Sequence, residues 1–166
     1  YKRQEFYQDW DDGTQRFAVT PFLRIDEDDS ERTHADFREL YWRKSFEAQS
    51  VDLYVGARKV FWGVTESLHL VDIINQTDLV ENIDTEDKLG QPMVQFSWEQ
   101  DWGTLDVFYL PYFRERTFPG ANGRLRSPFI VDTDRADYES GAEEWHQDVA
   151  IRWSHTLDNW DIGVAH

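Results

Sequence analysis

The chain has 166 residues, enough for one domain with a sizeable core or for a small barrel, and its 33 acidic against 17 basic residues give a net charge of −16. That charge argues against nucleic acid as a partner and disfavours direct binding to an anionic membrane surface, while the aromatic content of 16% is too high for disorder. The absence of cysteine removes disulfide and thiolate chemistry, and the lack of any apolar run of about 18 residues excludes a transmembrane helix.

In chain order, the first hairpin is the weakest. Phe6 and Trp10 are set against Gln4 and Gln8, and Asp11-Asp12-Gly13 turns the chain. The return strand puts Phe17, Val19, Leu23 and Ile25 on one face and Arg16, Thr20, Arg24 and Asp26 on the other, with Phe22 as an exception. Pro21 lacks a backbone donor and marks an edge or a bulge. The second hairpin sets Leu40, Trp42 and Phe46 opposite Glu39, Tyr41, Arg43 and Ser45. It turns at 47–50 and returns with Val51, Leu53, Val55 and Ala57 against Asp52, Tyr54, Gly56 and Arg58. The third shows the pattern best: Val94, Phe96 and Trp98 alternate with Gln95, Ser97 and Glu99. After Asp101-Trp102-Gly103, Leu105, Val107 and Tyr109 alternate with Thr104 and Asp106. The fourth sets Val149, Ile151 and Trp153 against Asp148, Ala150, Arg152 and Ser154, turns at Leu157-Asp158-Asn159, and returns with Trp160, Ile162 and Val164.

These four hairpins make one segment spanning 1–166, joined by long polar connections at about 26–34, 62–91 and 113–144. A compact soluble domain rarely tolerates two loops of about 30 residues. Within the middle connection, Thr65-Glu66-Ser67 followed by Leu68, Val71 and Ile74 predicts a short helix able to narrow a lumen or pack over a rim.

Period-two alternation gives one apolar and one polar face, which suits either a sandwich core or a barrel wall against lipid. Charges of both signs on the polar face, together with short turns at one end and long loops at the other, favour the barrel. So do the tryptophans, with Trp10, Trp98, Trp102, Trp153 and Trp160 at the short turns and Trp62 and Trp145 at the other strand ends. The expectation is an all-β, antiparallel, up-and-down transmembrane β-barrel of about eight strands. Both termini fall on the long-loop side and His166 is not a terminal aromatic, so the segment reads as a slice of a larger barrel whose leader lies outside it.

Several stretches add a resemblance. They are Glu39-Leu40-Tyr41-Trp42, Val60-Phe61-Trp62-Gly63-Val64, Val71-Asp72-Ile73-Ile74-Asn75-Gln76-Thr77-Asp78 and Leu89-Gly90-Gln91-Pro92-Met93. With Tyr109-Leu110-Pro111 and Arg116-Thr117-Phe118-Pro119-Gly120, they resemble a porin-like family of Gram-negative outer-membrane barrels, mostly uncharacterised. The resemblance implies a barrel longer than this chain and carries over no substrate and no functional residue.

Inward-facing Asp52, Arg58, Asp148 and Arg152 are the lumen-lining candidates, as a transverse field or as ion pairs bracing the wall. Arg114, Arg116, Arg124 and Arg126 crowd one long loop and are the candidates for an anion-attracting patch. The competing expectation pairs them with Asp132, Asp134, Asp137 and Glu139 or with lipopolysaccharide phosphates. The acidic run Asp26-Glu27-Asp28-Asp29-Ser30-Glu31 lacks EF-hand spacing and reads as a solvated loop rather than a metal site. No histidine pair has metal-ligand spacing, and no nucleophile elbow, Walker loop or dinucleotide fingerprint occurs, so neither an enzyme nor a cofactor is expected. The expected role is an outer-membrane channel passing small solutes, with outer-membrane lipid and lipopolysaccharide as partners. The sequence is compatible with an oligomer and marks no interface strand. The alternative is a soluble extracytoplasmic β-sandwich that binds glycans.

Overall fold

The structure, a computed structural model, describes residues 2–62, 72–82, 84–124 and 126–166. Of the helix expected over 65–74, only 72–74 fall within the described residues, and these are not helical.

Nine strands form one antiparallel sheet: β1 (Lys2–Arg3), β2 (Phe6–Trp10), β3 (Gln15–Arg24), β4 (His34–Phe46), β5 (Val51–Arg58), β6 (Gln91–Gln100), β7 (Gly103–Leu110), β8 (Asp148–Leu157) and β9 (Trp160–Ala165). β1 and β2 both pair with β3, so they share one edge, and from β3 onward each strand pairs with the next. The sheet is open: β9 is the far edge and makes no pair with β1 or β2. Among the described residues there is no α-helix, only four short 3₁₀ turns.

The hairpins form where local chemistry permits reversal. Asp11, Asp12 and Gly13 all adopt positive φ, and Thr14 closes the turn with its N–H on the Asp11 carbonyl. Ser50 takes the left-handed conformation at the end of the 47–49 turn. At Gly103, φ is +122°, and a Cβ would stand 2.5 Å from the Ser154 carbonyl oxygen.

In β2, Phe6, Gln8 and Trp10 share one face, because residues two apart always do; Tyr7 and Asp9 take the other. This corrects the opposition of Phe6 and Trp10 to Gln4 and Gln8. The register shift sits at Thr20/Pro21, as the missing proline donor demands. The partner strand absorbs it with an extra residue, Arg38 or Glu39, so that both turn toward the same side.

One face of the sheet carries unbroken apolar rows. Phe17, Trp42, Val55, Val94, Tyr109 and Val149 are successive cross-strand partners, and so are Phe46, Val51, Trp98, Leu105, Trp153 and Val164. Nothing in the described chain covers this face: Phe17, Val55, Phe96, Tyr109, Ile151 and Val149 are all exposed, the last to 69%. Lys44 intrudes on it, and its ammonium reaches the turn to meet Asp11 at 2.9 Å.

The opposite, polar face is the covered one. Thr20, Arg38, Gln91, Gln95 and Asp106 are buried there, and Phe108 is fully buried. A small apolar cluster of Trp62, Ile74, Met93, Phe108 and Ala150 joins the 59–90 connection to β6–β8 on this side. Trp62 is thus an inside residue, ring against Phe108 at 5.4 Å, and not a member of a rim of tryptophans. The chain reverses over the polar face after β5 and carries the indole inward.

Among the described glycines, Gly56 has the closest backbone neighbour. Its φ is +135°, and a Cβ would collide with the Leu40 carbonyl and lie 2.7 Å from the Tyr41 Cα. Gly56→Ala is expected to lower the urea midpoint of unfolding, at more than about 1 kcal/mol, because neither the conformation nor the space suits a side chain. The same substitution at Gly141, where nothing lies within 4 Å of a Cβ, is expected to leave the midpoint unchanged.

Candidate functional site

The register puts Asp52, Arg58, Asp148 and Arg152 on the one polar face, as the alternation predicts. They are not paired with one another. Asp52 accepts from the Ser45 hydroxyl at 2.5 Å and the Tyr54 hydroxyl at 3.3 Å, with Arg43 Nε at 3.9 Å. Arg58 donates to Gln95 Oε1 at 2.5 Å, and Gln95 donates in turn to Asp106 at 2.9 Å. The Arg58 guanidinium lies over the Tyr54 ring at 3.8 Å and near Tyr41 at 5.3 Å. Arg152 donates to Ser154 at 3.2 Å and sits 5.8 Å from the Trp62 ring. Asp148 is exposed at the long-loop end, 3.4 Å from His146.

The face thus divides in two. Toward the short turns, Arg43, Ser45, Asp52, Tyr54, Ser97 and Arg152 are hydrogen-bonding groups that solvent still reaches. Toward the long loops, the 72–90 and 111–124 segments are strapped down by buried charge. Arg38, 3% exposed, meets fully buried Asp78 at 2.5 Å, with Asp36 at 3.4 Å and Glu81 at 3.8 Å, and stacks on Phe22 at 4.0 Å. Asp78 also accepts from the Val80 and Glu81 N–H groups at 3.1 Å and from the Thr117 hydroxyl at 2.6 Å. Burial pushes the Asp78 carboxyl up, but the Thr117 hydroxyl and Arg38 outweigh it and hold the group below the usual carboxylate range. Arg24 donates to the Val80 carbonyl and pairs with Glu81. Asn75 anchors the same strap by donating to the Arg58 and Leu89 carbonyls at 2.8 and 2.9 Å.

The four loop arginines are dispersed among these anchors instead of converging. Arg114 pairs with Asp36 at 2.8 Å and donates to the Gly90 carbonyl. Arg116 reaches Gln76 at 3.5 Å, and Arg126 bonds the Ala121 and Ser127 carbonyls. Arg124 extends into solvent, 4.0 Å from Asp28. None is paired with Asp132, Asp134, Asp137 or Glu139 among the described residues. The acidic run is a folded element: Asp29 is buried and accepts from the Gly120 N–H at 2.9 Å, with Gly123 close enough that a Cβ would stand 2.5 Å from its carboxylate. Asp26 holds Arg32 at 2.9 Å.

Arg38, Asp78, Gln95 and Asp106 organise this face. Their signals in the sequence were a proline-linked bulge beside Arg38 and polar residues at inward positions of β6 and β7. No family model matches the chain, and no curated protein or solved structure matches it. The porin-like resemblance therefore rests on the residues quoted for it alone.

Proposed function

We propose that the chain is part of the wall of an outer-membrane β-barrel through which small solutes pass. The observation that carries this reading is the inverted amphipathicity of the sheet. Apolar rows face outward with no protein over them, while the loops fold onto the polar face. A sheet in water does the reverse, burying its apolar face. In lipid the apolar face is at its ease and the polar face lines a watery lumen.

Strand lengths support the reading. β3, β6 and β8 have ten residues and β4 thirteen, against the roughly 9–11 that a tilted strand needs to cross a bilayer. β5 and β7, with eight, fall just short, and β9 has six. Trp10, Trp102 and Trp160 are exposed at the short-turn ends, and the Trp98 and Trp102 rings meet edge to face at 5.4 Å. An indole at that level keeps its ring in lipid and its N–H in water. Open edges at β1/β2 and β9 are where further strands would close the wall. The solutes would travel along the polar side, where the strapped loops narrow the path at one end and hydroxyl, carboxylate and guanidinium groups line the other.

The test is membrane fractionation of the full-length protein, followed by gel migration with and without boiling. Outer-membrane recovery with a heat-dependent mobility shift is the expected result. Recovery in the soluble fraction would overturn it in favour of a β-sandwich whose second sheet covers the apolar rows.

A further inference from the structure

Deepening that reading, and resting on it, we infer that the polar face holds a subsite for a small organic carboxylate, built from Arg43, Arg58 and the tyrosines Tyr41 and Tyr54. Arg43 and Tyr54 are direct cross-strand partners, the Tyr41 and Tyr54 rings lie 6.0 Å apart, and Arg58 covers Tyr54. One guanidinium therefore covers the Tyr54 ring, and a second is carried by the residue opposite Tyr54 in the ladder.

Neither is neutralised by a hydrogen-bonded carboxylate. Arg43 spends Nε and one Nη on the Ser45 hydroxyl, at 3.0 and 2.7 Å. The nearest acid, Asp52, stands 3.9 Å from Arg43 Nε, with one oxygen taken by Ser45 and the other by Tyr54. Arg58 donates one hydrogen bond, to the neutral amide of Gln95, and among the described residues no carboxylate comes within ion-pair distance of it. Glu39, opposite Thr20 in the β3–β4 ladder, is two residues from Tyr41 and is not among the ion-pair partners of Arg58 in the described residues. Arg16, facing Arg43 across the β3–β4 ladder, is by contrast fully committed to Asp9 through two bonds of 2.6 and 2.8 Å.

All four side chains of the subsite are half-buried, so water reaches them yet screens them less than at an open surface. In a chain of net charge −16, Arg58 has no acid within ion-pair distance among the described residues, and Arg43 has only Asp52, at the long distance of 3.9 Å. A guanidinium with free N–H groups in a fixed fork accepts a carboxylate on two parallel bonds, and the phenol faces keep the fork in plane. Neutral solutes gain nothing comparable there.

The test is calorimetric titration of the full-length protein, folded in detergent, with benzoate and with its uncharged analogue benzamide. Benzoate is expected to bind saturably and benzamide about tenfold more weakly or worse, the scale of one charge-assisted hydrogen bond. Arg43→Gln and Arg58→Lys are each expected to weaken benzoate about tenfold, the second because an ammonium keeps charge but loses the fork. The heat-dependent gel shift reports folding, and Arg43→Gln decides if Arg58→Lys does not fold. Equal affinity for benzoate and benzamide, or benzoate binding indifferent to both variants, would overturn the subsite. Planar-bilayer conductance separates the two readings. Benzoate binding without conductance leaves the subsite standing and removes the channel; conductance without preference for benzoate does the opposite.

Discussion

Val107→Arg is expected to abolish recovery of the folded protein from the outer membrane, and Ile151→Arg to do the same. The two residues are cross-strand partners in the row that also holds Leu53 and Phe96, near the middle of β7 and β8. A guanidinium facing the bilayer midplane costs about 2–4 kcal/mol, falling to about 0–1 kcal/mol at the interfaces. A typical domain has only about 5–15 kcal/mol of stability, so the loss is a large fraction of the whole. The depth dependence is the discriminating part. Trp160→Arg, at the short-turn end of β9, is expected to be tolerated, and Thr104→Arg, on the polar face of β7 opposite Glu99, is expected to be nearly neutral. Loss of the heat-dependent gel shift in the first pair and its retention in the second pair is the predicted pattern. An uncovered sheet in water would show changes within about 0.5 kcal/mol at all four positions, which would sink the lipid-facing assignment.

How far the fold was legible follows from which forces act locally. The last three hairpins, their turns and the sides taken by most residues of 39–58, 94–109 and 148–164 are legible, because period-two alternation records a two-faced environment residue by residue. Alternation does not say which face the protein itself covers. That is decided by where the 59–90 and 111–147 connections go, and they go to the polar side through contacts far apart in sequence. Arg38 with Asp78, Asp36 with Arg114 and Asp29 with Gly120 leave no periodic trace. A position just after a strand puts Trp62 at a rim; the reversal that buries it on Phe108 is a tertiary event. Arg38 is illegible for a local reason, since the β4 bulge breaks the alternation at that point. Arg58 and Arg152 are legible because they sit on unbroken alternation, but their partners are aromatic rings, an amide and a hydroxyl instead of acids.

Asp78→Ala is expected to free the straps without dissolving the sheet. It removes the closest partner of Arg38 inside the protein, at a cost of about 3–5 kcal/mol for a buried charge left uncompensated. Asp36 and Glu81, at 3.4 and 3.8 Å, bring the figure toward the lower end. Lys44→Ala, which breaks an ion pair near the surface with Asp11, is expected to cost only about 0–1 kcal/mol. The readout is protease cleavage within 72–90 set beside the heat-dependent gel shift: cleavage rises in Asp78→Ala while the shift persists. Combining Arg38→Met with Asp78→Asn is expected to restore much of the protection, because both charges leave together while the side-chain oxygen still serves the Val80 and Glu81 N–H groups. If the double variant is as labile as Asp78→Ala, the strap is held by something other than this pair. Acid supplies an independent check with a fixed sign. The folded Asp78 carboxyl titrates below its unfolded value of about 3.9, so the stabilisation is fully present above that pH and disappears as pH falls through the lower, folded value. Protection of the strap is therefore expected to be flat from pH 7 to pH 5 and to fail only below about pH 4.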